Sequence, residues 1–466
     1  MIQYDTSAIP AKKGAFLVGG SLRDLLLGRK PLDYDIAVEK DPSAYAREIA
    51  NRQEGRVVPI GKPGKQIFRV IAKGAEIDVS GFKGASIHED LMHRDFTINA
   101  MAYDTASGEF IDSCDGLNDI TNRRIRMVSD AIFRQDPIRL LRAFRLAAVL
   151  DFTLDGTVLF SIKRDAALIR KAAGERVRDE LIKILSIPYA GPYIRQMLET
   201  GLLFELFPEM AALRSCKKNR HHAFDALEHT LRAVSQLEAL PANLRLFCPE
   251  FAERLKRRLR HKNGALLKCA LLWHDIGKPV CAVQDTTGTI RYAGHEKTGA
   301  AMAQSIAARL RFSNRESRAV DGIVRHHLRP LSLFIADRRG MLTARGVTRF
   351  FVKCEPFTVD ILLHAIADTD AKTAAPANSG TRQFRQFATA LIRQYYTRHL
   401  PARCKAPLLT GNDLSSELQL KPSPLYKTIL SRVETARLIG EVDNKQDALA
   451  LAEQIANREI GPHGGF

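Results

Sequence analysis

The stretch FLVGGSLRDLLLGRKPLDYDIAV, residues 16–38, packs a complete alternation of structural periods into a few turns of chain. Its apolar opening predicts a strand, Gly19-Gly20-Ser21 a turn, Leu22 to Leu27 the start of a helix, and Leu32 to Val38 a second strand. Asp33 and Asp35 stand two residues apart in that second strand, so their carboxylates leave the same face, where together they can hold hard divalent cations through oxygen. A Gly-Gly turn at a helix start offers bare backbone N–H groups and a positive dipole end to an anion, and Arg23 adds a fork of donors. Phosphate on one side and metal on the other is the arrangement that phosphoryl or nucleotidyl transfer needs.

C-terminal to this unit, Ser43 to Arg52 has helical character, and Val57-Val58, Phe68 to Ala72 and Glu76 to Ser80 predict short strands of a small mixed sheet. Asp78 supplies a third carboxylate if its strand returns beside Asp33 and Asp35, or an edge charge facing water if it does not. In EDLMHRDFTINAMAYD, residues 89–104, Arg94 and Asp95 suit either a ribose, whose hydroxyls a carboxylate accepts, or a structural ion pair. From Ala131, AIFRQDPIRLLRAFRLAAVL reads as a long amphipathic helix. Asp136 and Arg139, three residues apart, are then expected on one face, where a carboxylate beside a guanidinium offers an acceptor and donors to a base edge with no nucleic-acid template. Arg142 and Arg145 continue that face toward a triphosphate; an ordinary salt bridge explains the same spacing.

Histidines organise the second half: His229 on a helix, His274-Asp275 closing the apolar run LLKCALLW, His295, His326 and His327 in VRHHLRP, and Asp368 in LLHAIADTD. This set supplies mixed nitrogen and oxygen donors for one or two transition metals or Mg²⁺; His229, His274, Asp275, His295, His326 and Asp368 are the expected ligands.

The 466 residues carry a formal net charge of +18 spread along the chain, which favours a polyanionic partner. Basic runs at 217–222 and 253–262 can neutralise RNA phosphates or form solvated helix faces. Seven scattered cysteines without a CxxC pair point to a reducing compartment and away from a zinc knuckle. With no apolar run of membrane-spanning length and no hydrophobic N-terminal signal, the expectation is a cytoplasmic protein that binds no membrane; its oligomeric state stays open.

GGSLRD followed by LDYDIAV, then EDLMHRDFTINAMAYD, FIDSCDG, QDPIR and GERVRDE, resembles the ordered motifs of the bacterial-type (class II) tRNA nucleotidyltransferase and poly(A) polymerase family. The His-Asp set resembles the HD domain of metal-dependent phosphohydrolases, which several such enzymes carry after their neck. The resemblance implies an α+β head with a polymerase-beta-like mixed sheet at 1–128 and an all-α neck recognising the base at 129–210. An HD-type helical domain at 211–375 and a helical, tRNA-binding body and tail at 376–466 follow. It implies addition of C and/or A, from CTP and/or ATP, to the tRNA 3′ end, with Mg²⁺ on Asp33 and Asp35. Gly19, Gly20, Ser21 and Arg23 would seat the phosphates, Arg94 and Asp95 the ribose, and Asp136 and Arg139 the base, with Arg142 and Arg145 near the triphosphate. Glu175, Arg176 and Glu180 would support the nucleotide-binding helix. Two residues depart from the pattern: His93 stands where Arg is usual and Gln135 where Glu is usual. The short connection SGFKGASIHEDLM lacks the longer loop of many full CCA-adding members, so addition of only CC or only A stays open. A poly(A) polymerase, or an HD phosphohydrolase with a degenerate head, are the alternatives.

Overall fold

The apolar run Ala15–Val18 forms β1, buried along its length, and pairs antiparallel with β2, Asp33–Val38, setting Val18 opposite Asp35 and Phe16 opposite Ala37. Between them lies α1, Gly19–Leu26, which begins at the first glycine rather than at Leu22 as expected. The computed structural model describes residues 9–61, 66–72, 75–216, 225–372 and 379–460.

Two units are separable by their internal packing: Met1–Ile184 with Pro192–Leu206, and Leu185–Gly191 with Phe207–Phe466. The first contains a seven-stranded sheet. After α2 (Pro42–Arg52), β3 (Arg56–Ile60), β4 (Ile67–Ala72) and β5 (Ala75–Gly81) come α3 (Ile87–Met92), β6 (Met101–Asp104), β7 (Phe110–Asp112) and α4 (Gly116–Thr121). The strand order is β3-β4-β5-β2-β1-β6-β7, and β2 with β5 is its parallel pair, so the sheet is mixed as expected. Asp41 caps α2 by accepting from the Ala44 N–H, with Pro42 at the first helical position, where a missing N–H costs nothing. Phe16, Val18, Ala37 and Ala102 share one sheet face and pack with Ile87 and Leu91 of α3. By the two-residue period Asp33 and Asp35 stand on the same face as Ala37, beyond the end of this apolar cluster.

The expected long helix from Ala131 is two helices, α5 (Ile132–Gln135) and α6 (Arg139–Leu150). Asp136 lies between them in an extended conformation, φ −148°, because Pro137 disfavours helical geometry in the residue before it. α6 buries Leu140, Leu141, Phe144, Leu146 and Leu150, each contributing about 1.5–3 kcal/mol of transfer free energy. Helices α7 (Gly156–Asp165), α8 (Gly174–Ser186), α9 (Gly191–Glu199) and α10 (Leu202–Leu206) follow.

The second unit is helical: α11 (Ala226–Phe247), α12 (Ala252–Arg258), α13 (His261–Trp273), α14 (His295–Arg309), α15 (Asn314–His326), α16 (Arg329–Arg338), α17 (Ala344–Cys354), α18 (Thr358–Asp370) and α19 (Ser379–Gln394). α13 is its axis; Gly264 to Trp273 are all buried, as an all-round apolar helix must be, and Trp273 meets Phe207 and Phe312 edge-on. The chain continues through α20 (Leu400–Arg403), α21 (Gly411–Ser416), α22 (Leu425–Leu438) and α23 (Lys445–Ile460). The last three close over a separate small core of Leu409, Leu414, Ile429, Val433, Ala448 and Ala452.

The basic run at 217–222 lies outside the described residues, as does most of the expected linker at 374–380. The run at 253–262 is partly committed to internal pairs: Arg258 forks onto Asp360 at 2.5 and 2.7 Å, Lys262 meets Glu316 at 2.6 Å, and Arg254 stacks over Tyr396. Among the described residues no helix is long and apolar enough to cross a membrane.

Candidate active site and histidine cluster

In the first unit, the register of the parallel pair β2–β5 sets Asp78 beside Asp35 and Glu76 beside Asp33. Four carboxylates therefore converge on one patch of sheet. Asp78 is held by a two-pronged contact from Arg69, both bonds 2.8 Å, which leaves Asp33 and Asp35 without such a partner among the described residues. Burial pushes the Asp35 carboxyl up to about 6, the Arg94 guanidinium pulls it down, and Asp33 and Asp78 push it further up. A carboxylate that burial and like charge both disfavour is one that a cation would stabilise.

Gly19 has φ +69°, and a Cβ there would come within 2.8 Å of Asp35 Oδ2 and 3.0 Å of Arg94 Nη1. Glycine is thus required twice over, by conformation and by space, and its place brings the start of α1 against the carboxylate. The residue before the helix supplies no side-chain cap; the Gly20 N–H donates to the Asp35 carboxylate, and the other first-turn N–H groups point the same way, toward a place for an anion. Ser21 does not extend the expected phosphate cradle. Its buried hydroxyl donates to the Val18 carbonyl and accepts from the Asp35 N–H, tying helix to strand. Arg23 is braced by Asp24 and by Asn99 Oδ1 at 2.8 Å, its guanidinium lying close to Gly20.

Arg94 forks onto Asp90 through Nε and Nη2, at 3.1 and 2.8 Å. Asp95, buried, accepts from the Phe96 N–H, from Asn99 and from Arg142; burial opposes its charge, yet these donors hold it below the usual carboxylate range. Asp136 and Arg139 do not share a helix face, contrary to the sequence expectation. Asp136 receives both prongs of Arg176, at 3.0 and 2.8 Å. Arg139 donates to Gln135 Oε1 at 3.1 Å and to the His93 carbonyl at 3.0 Å, while its buried Nε has no acceptor among the described residues. The two unusual residues are therefore its braces, His93 through the main chain and Gln135 through a neutral amide. Arg145, expected near a triphosphate, is engaged by Glu180: its Nε meets that carboxylate at 2.5 Å, and Glu180 also lies 3.6 Å from Arg142.

In the second unit, helices remote in sequence bring the histidines together. His229 of α11, His274 at the end of α13 and Asp368 of α18 form one group of three donor atoms within 4.8 Å of one another; Asp275, His295 and His327 form a second. His327, not the expected His326, is the member. α15 ends at His326, whose Nδ1 accepts from Arg329 Nε, and the next residue turns inward. Gly277 permits the fold here, since a Cβ on it would sit 2.4 Å from the His295 carbonyl.

His274, His295 and His327 each have Nδ1 2.7 Å from a main-chain carbonyl, of Leu271, Tyr292 and Val324. Donation from Nδ1–H places the lone pair on Nε2, the form a metal needs. Nε2 of His274 and of His295 is buried without a well-formed hydrogen bond among the described residues, and both face Asp275, at 3.2 and 3.4 Å. Burial opposes the charge of Asp275 and Asp368, but His274 and Lys278 hold the first, and Lys372 with His229 the second, well below the usual range. Burial works against a charged His274, and Asp275 with Asp368 nonetheless lift it to about 10, so the cluster calls for positive charge. Six buried donors of mixed nitrogen and oxygen character answer to one or two divalent ions. His364 borders the cluster as well and was not singled out from sequence; standing four residues before Asp368 on α18, it shares that face.

Residues 15–126 match the Poly A polymerase head domain, 227–367 the HD domain and 371–452 a tRNA nucleotidyltransferase domain 2. The A-adding tRNA nucleotidyltransferase of Deinococcus radiodurans is 30% identical over 458 residues, 97% of this chain and 98% of that protein. The chain belongs to the tRNA nucleotidyltransferase family. The CC-adding tRNA nucleotidyltransferase of Thermus thermophilus is 31% identical to it over 446 residues, covering 94% of this chain and 93% of the relative. The fold agrees with that of a CCA-adding enzyme in its apo form I, with a TM-score of 0.60 at 18% identity over 97% of this chain and 91% of that one. The Thermotoga maritima CCA-adding enzyme complexed with tRNA gives 0.57, at 18% identity, over 95% and 91% of the two chains. Divalent metal is the cofactor class of both the nucleotidyltransferase and HD families, and the donor sets described here fit it.

Proposed function

We propose that this enzyme adds C and/or A, from CTP and/or ATP, to the 3′ end of tRNA without a nucleic-acid template, in the cytoplasm. The observation that carries the reading is the Asp33–Asp35 pair on β2, set against the open start of α1 and Gly19. Asp33 and Asp35 would hold Mg²⁺, which supplies Lewis-acid stabilisation of the phosphates and a more acidic RNA 3′-hydroxyl. The 3′-oxygen forms a bond to the α-phosphorus of the nucleotide, and the bond to pyrophosphate breaks. The open N–H groups of α1 with Arg23 receive phosphate oxygens. Asp95, kept ionised by Arg142, accepts from ribose hydroxyls. Asp136 and Arg139, each braced separately, present an acceptor and donors to the base edge. On this reading residues 1–128 are the catalytic head, 129–210 the neck, 211–375 the HD domain and 376–466 the tRNA-binding tail.

The connection from β5 to α3 favours addition of only part of CCA. Phe82 N–H donates to the Val38 carbonyl, Lys83 N–H to Asp90 and Ala85 N–H to Glu89, so three of the residues joining the two elements are pinned. A connection fixed in this way has little freedom to re-form the pocket for a second base. The test uses tRNAs ending before CCA, after C and after CC, each with single nucleotides, resolved at one-nucleotide length. Extension by CTP alone of the ends before CCA and after C, or by ATP alone of the end after CC, supports the reading. Long A tails on generic RNA would instead identify a poly(A) polymerase.

A second activity is favoured by the histidine cluster: metal-dependent hydrolysis of a phosphoester in the HD domain, for which its two three-donor groups are suited.

A further inference from the structure

His364 is fully buried, and neither of its ring nitrogens has a hydrogen-bond partner among the described residues. An imidazole stripped of water on both sides is costly, and a phenylalanine of similar volume would fill the space without that cost. The residue has therefore been placed there for something other than packing. Its ring centroid lies 5.2 Å from that of His274 and 5.6 Å from that of His327. Those are the spacings found inside the two donor groups themselves, where His229 and His274 are 5.7 Å apart and His295 and His327 are 5.3 Å apart. His274 belongs to one group and His327 to the other, so His364 adjoins both while forming part of neither three-donor group.

We propose that His364 is a seventh donor of the HD-domain metal centre, its fifth through nitrogen, completing the coordination of a divalent ion alongside His274. The proposal rests on the reading that the cluster binds metal. It accounts for a buried imidazole unlike three histidines of the cluster, since His274, His295 and His327 have one nitrogen spent on a carbonyl and His364 has neither so spent among the described residues.

The test is made on the full chain, stripped of metal and titrated with Mn²⁺ and with Co²⁺, reading bound metal per chain, dissociation constants and the visible Co²⁺ spectrum. His364→Phe and His364→Leu are compared with the unaltered protein, and the melting temperature of each metal-free form is recorded. The proposal expects melting temperatures equal to or above that of the unaltered chain, together with roughly tenfold or greater weakening of one bound ion and a changed Co²⁺ spectrum. Unaltered metal affinity and spectrum in both variants would overturn it and leave His364 a core residue. Absence of metal binding in the unaltered chain would overturn the metal-centre reading and this proposal together, and so is distinguishable from the first failure. If phenylalanine lowers the melting temperature sharply, the leucine variant decides by the same two readouts.

Discussion

The two donor clusters of this chain are built on opposite plans. The carboxylates of the head leave one strand two residues apart, supply only oxygen, and include Asp35, which burial and like charge lift to about 6. The histidine cluster draws on α11, α13, α14, α15 and α18, is buried, and has its carboxylates held low by neighbouring cations. A site on a strand inherits its geometry from local period; a site between helices inherits it from packing. The first plan suits hard ions exchanged with each nucleotide, the second a resident ion of softer preference.

The comparison sharpens on two adjacent histidines. Removing His327 by alanine is expected to weaken the cluster's metal roughly 10–100-fold, whereas His326→Ala leaves affinity within about twofold, as judged by Mn²⁺ titration of the full chain. Equal losses would mean that packing does not discriminate between them. In the neck, Arg176 holds Asp136 in place. Arg176→Ala is expected to relax discrimination among nucleoside triphosphates by about tenfold, equivalent to about 1.4 kcal/mol, in single-nucleotide incorporation. Unchanged selectivity would move base choice away from Asp136.

The smallest effect concerns stability. Because the folded-state pKa of Asp35 is raised from 3.8 to about 6, the folded chain binds that proton more tightly than the unfolded one. The resulting stabilisation is complete below the unfolded value and is lost as the pH rises through about 6. In metal-free protein, the unfolding free energy should therefore fall by about 1 kcal/mol between about pH 5 and 6 because of this group, and Asp35→Asn should remove that slope. A slope unchanged by the substitution would place the titration elsewhere.

Much of the head was legible because strand alternation, a glycine turn and paired acids are local signals. The return of Asp78 beside Asp35 follows from topology that short apolar runs only suggest. Other features escaped for identifiable reasons. Pro137 was visible and should have interrupted the helix; its effect separates Asp136 from Arg139 and hands Asp136 to Arg176, remote in sequence. Which of His326 and His327 turns inward depends on where α15 ends, a boundary that periodicity locates only loosely. Ser21 and Arg145 have the right chemistry for phosphate but are committed to the backbone and to Glu180, partners that no spacing rule reveals. His364 carried a usable signal, one helical turn before Asp368, hidden inside an apolar run.

On the proposed reading the Asp33–Asp35 pair performs the transfer while the histidine cluster serves a separate chemistry. Single-turnover incorporation onto a 3′-truncated tRNA by Asp35→Ala, with RNA affinity measured in parallel, tests it most directly. The account predicts a loss of at least about 10³-fold in rate with RNA binding within about twofold of the unaltered enzyme. An Asp35→Ala enzyme that still extends the RNA at a comparable rate would contradict it.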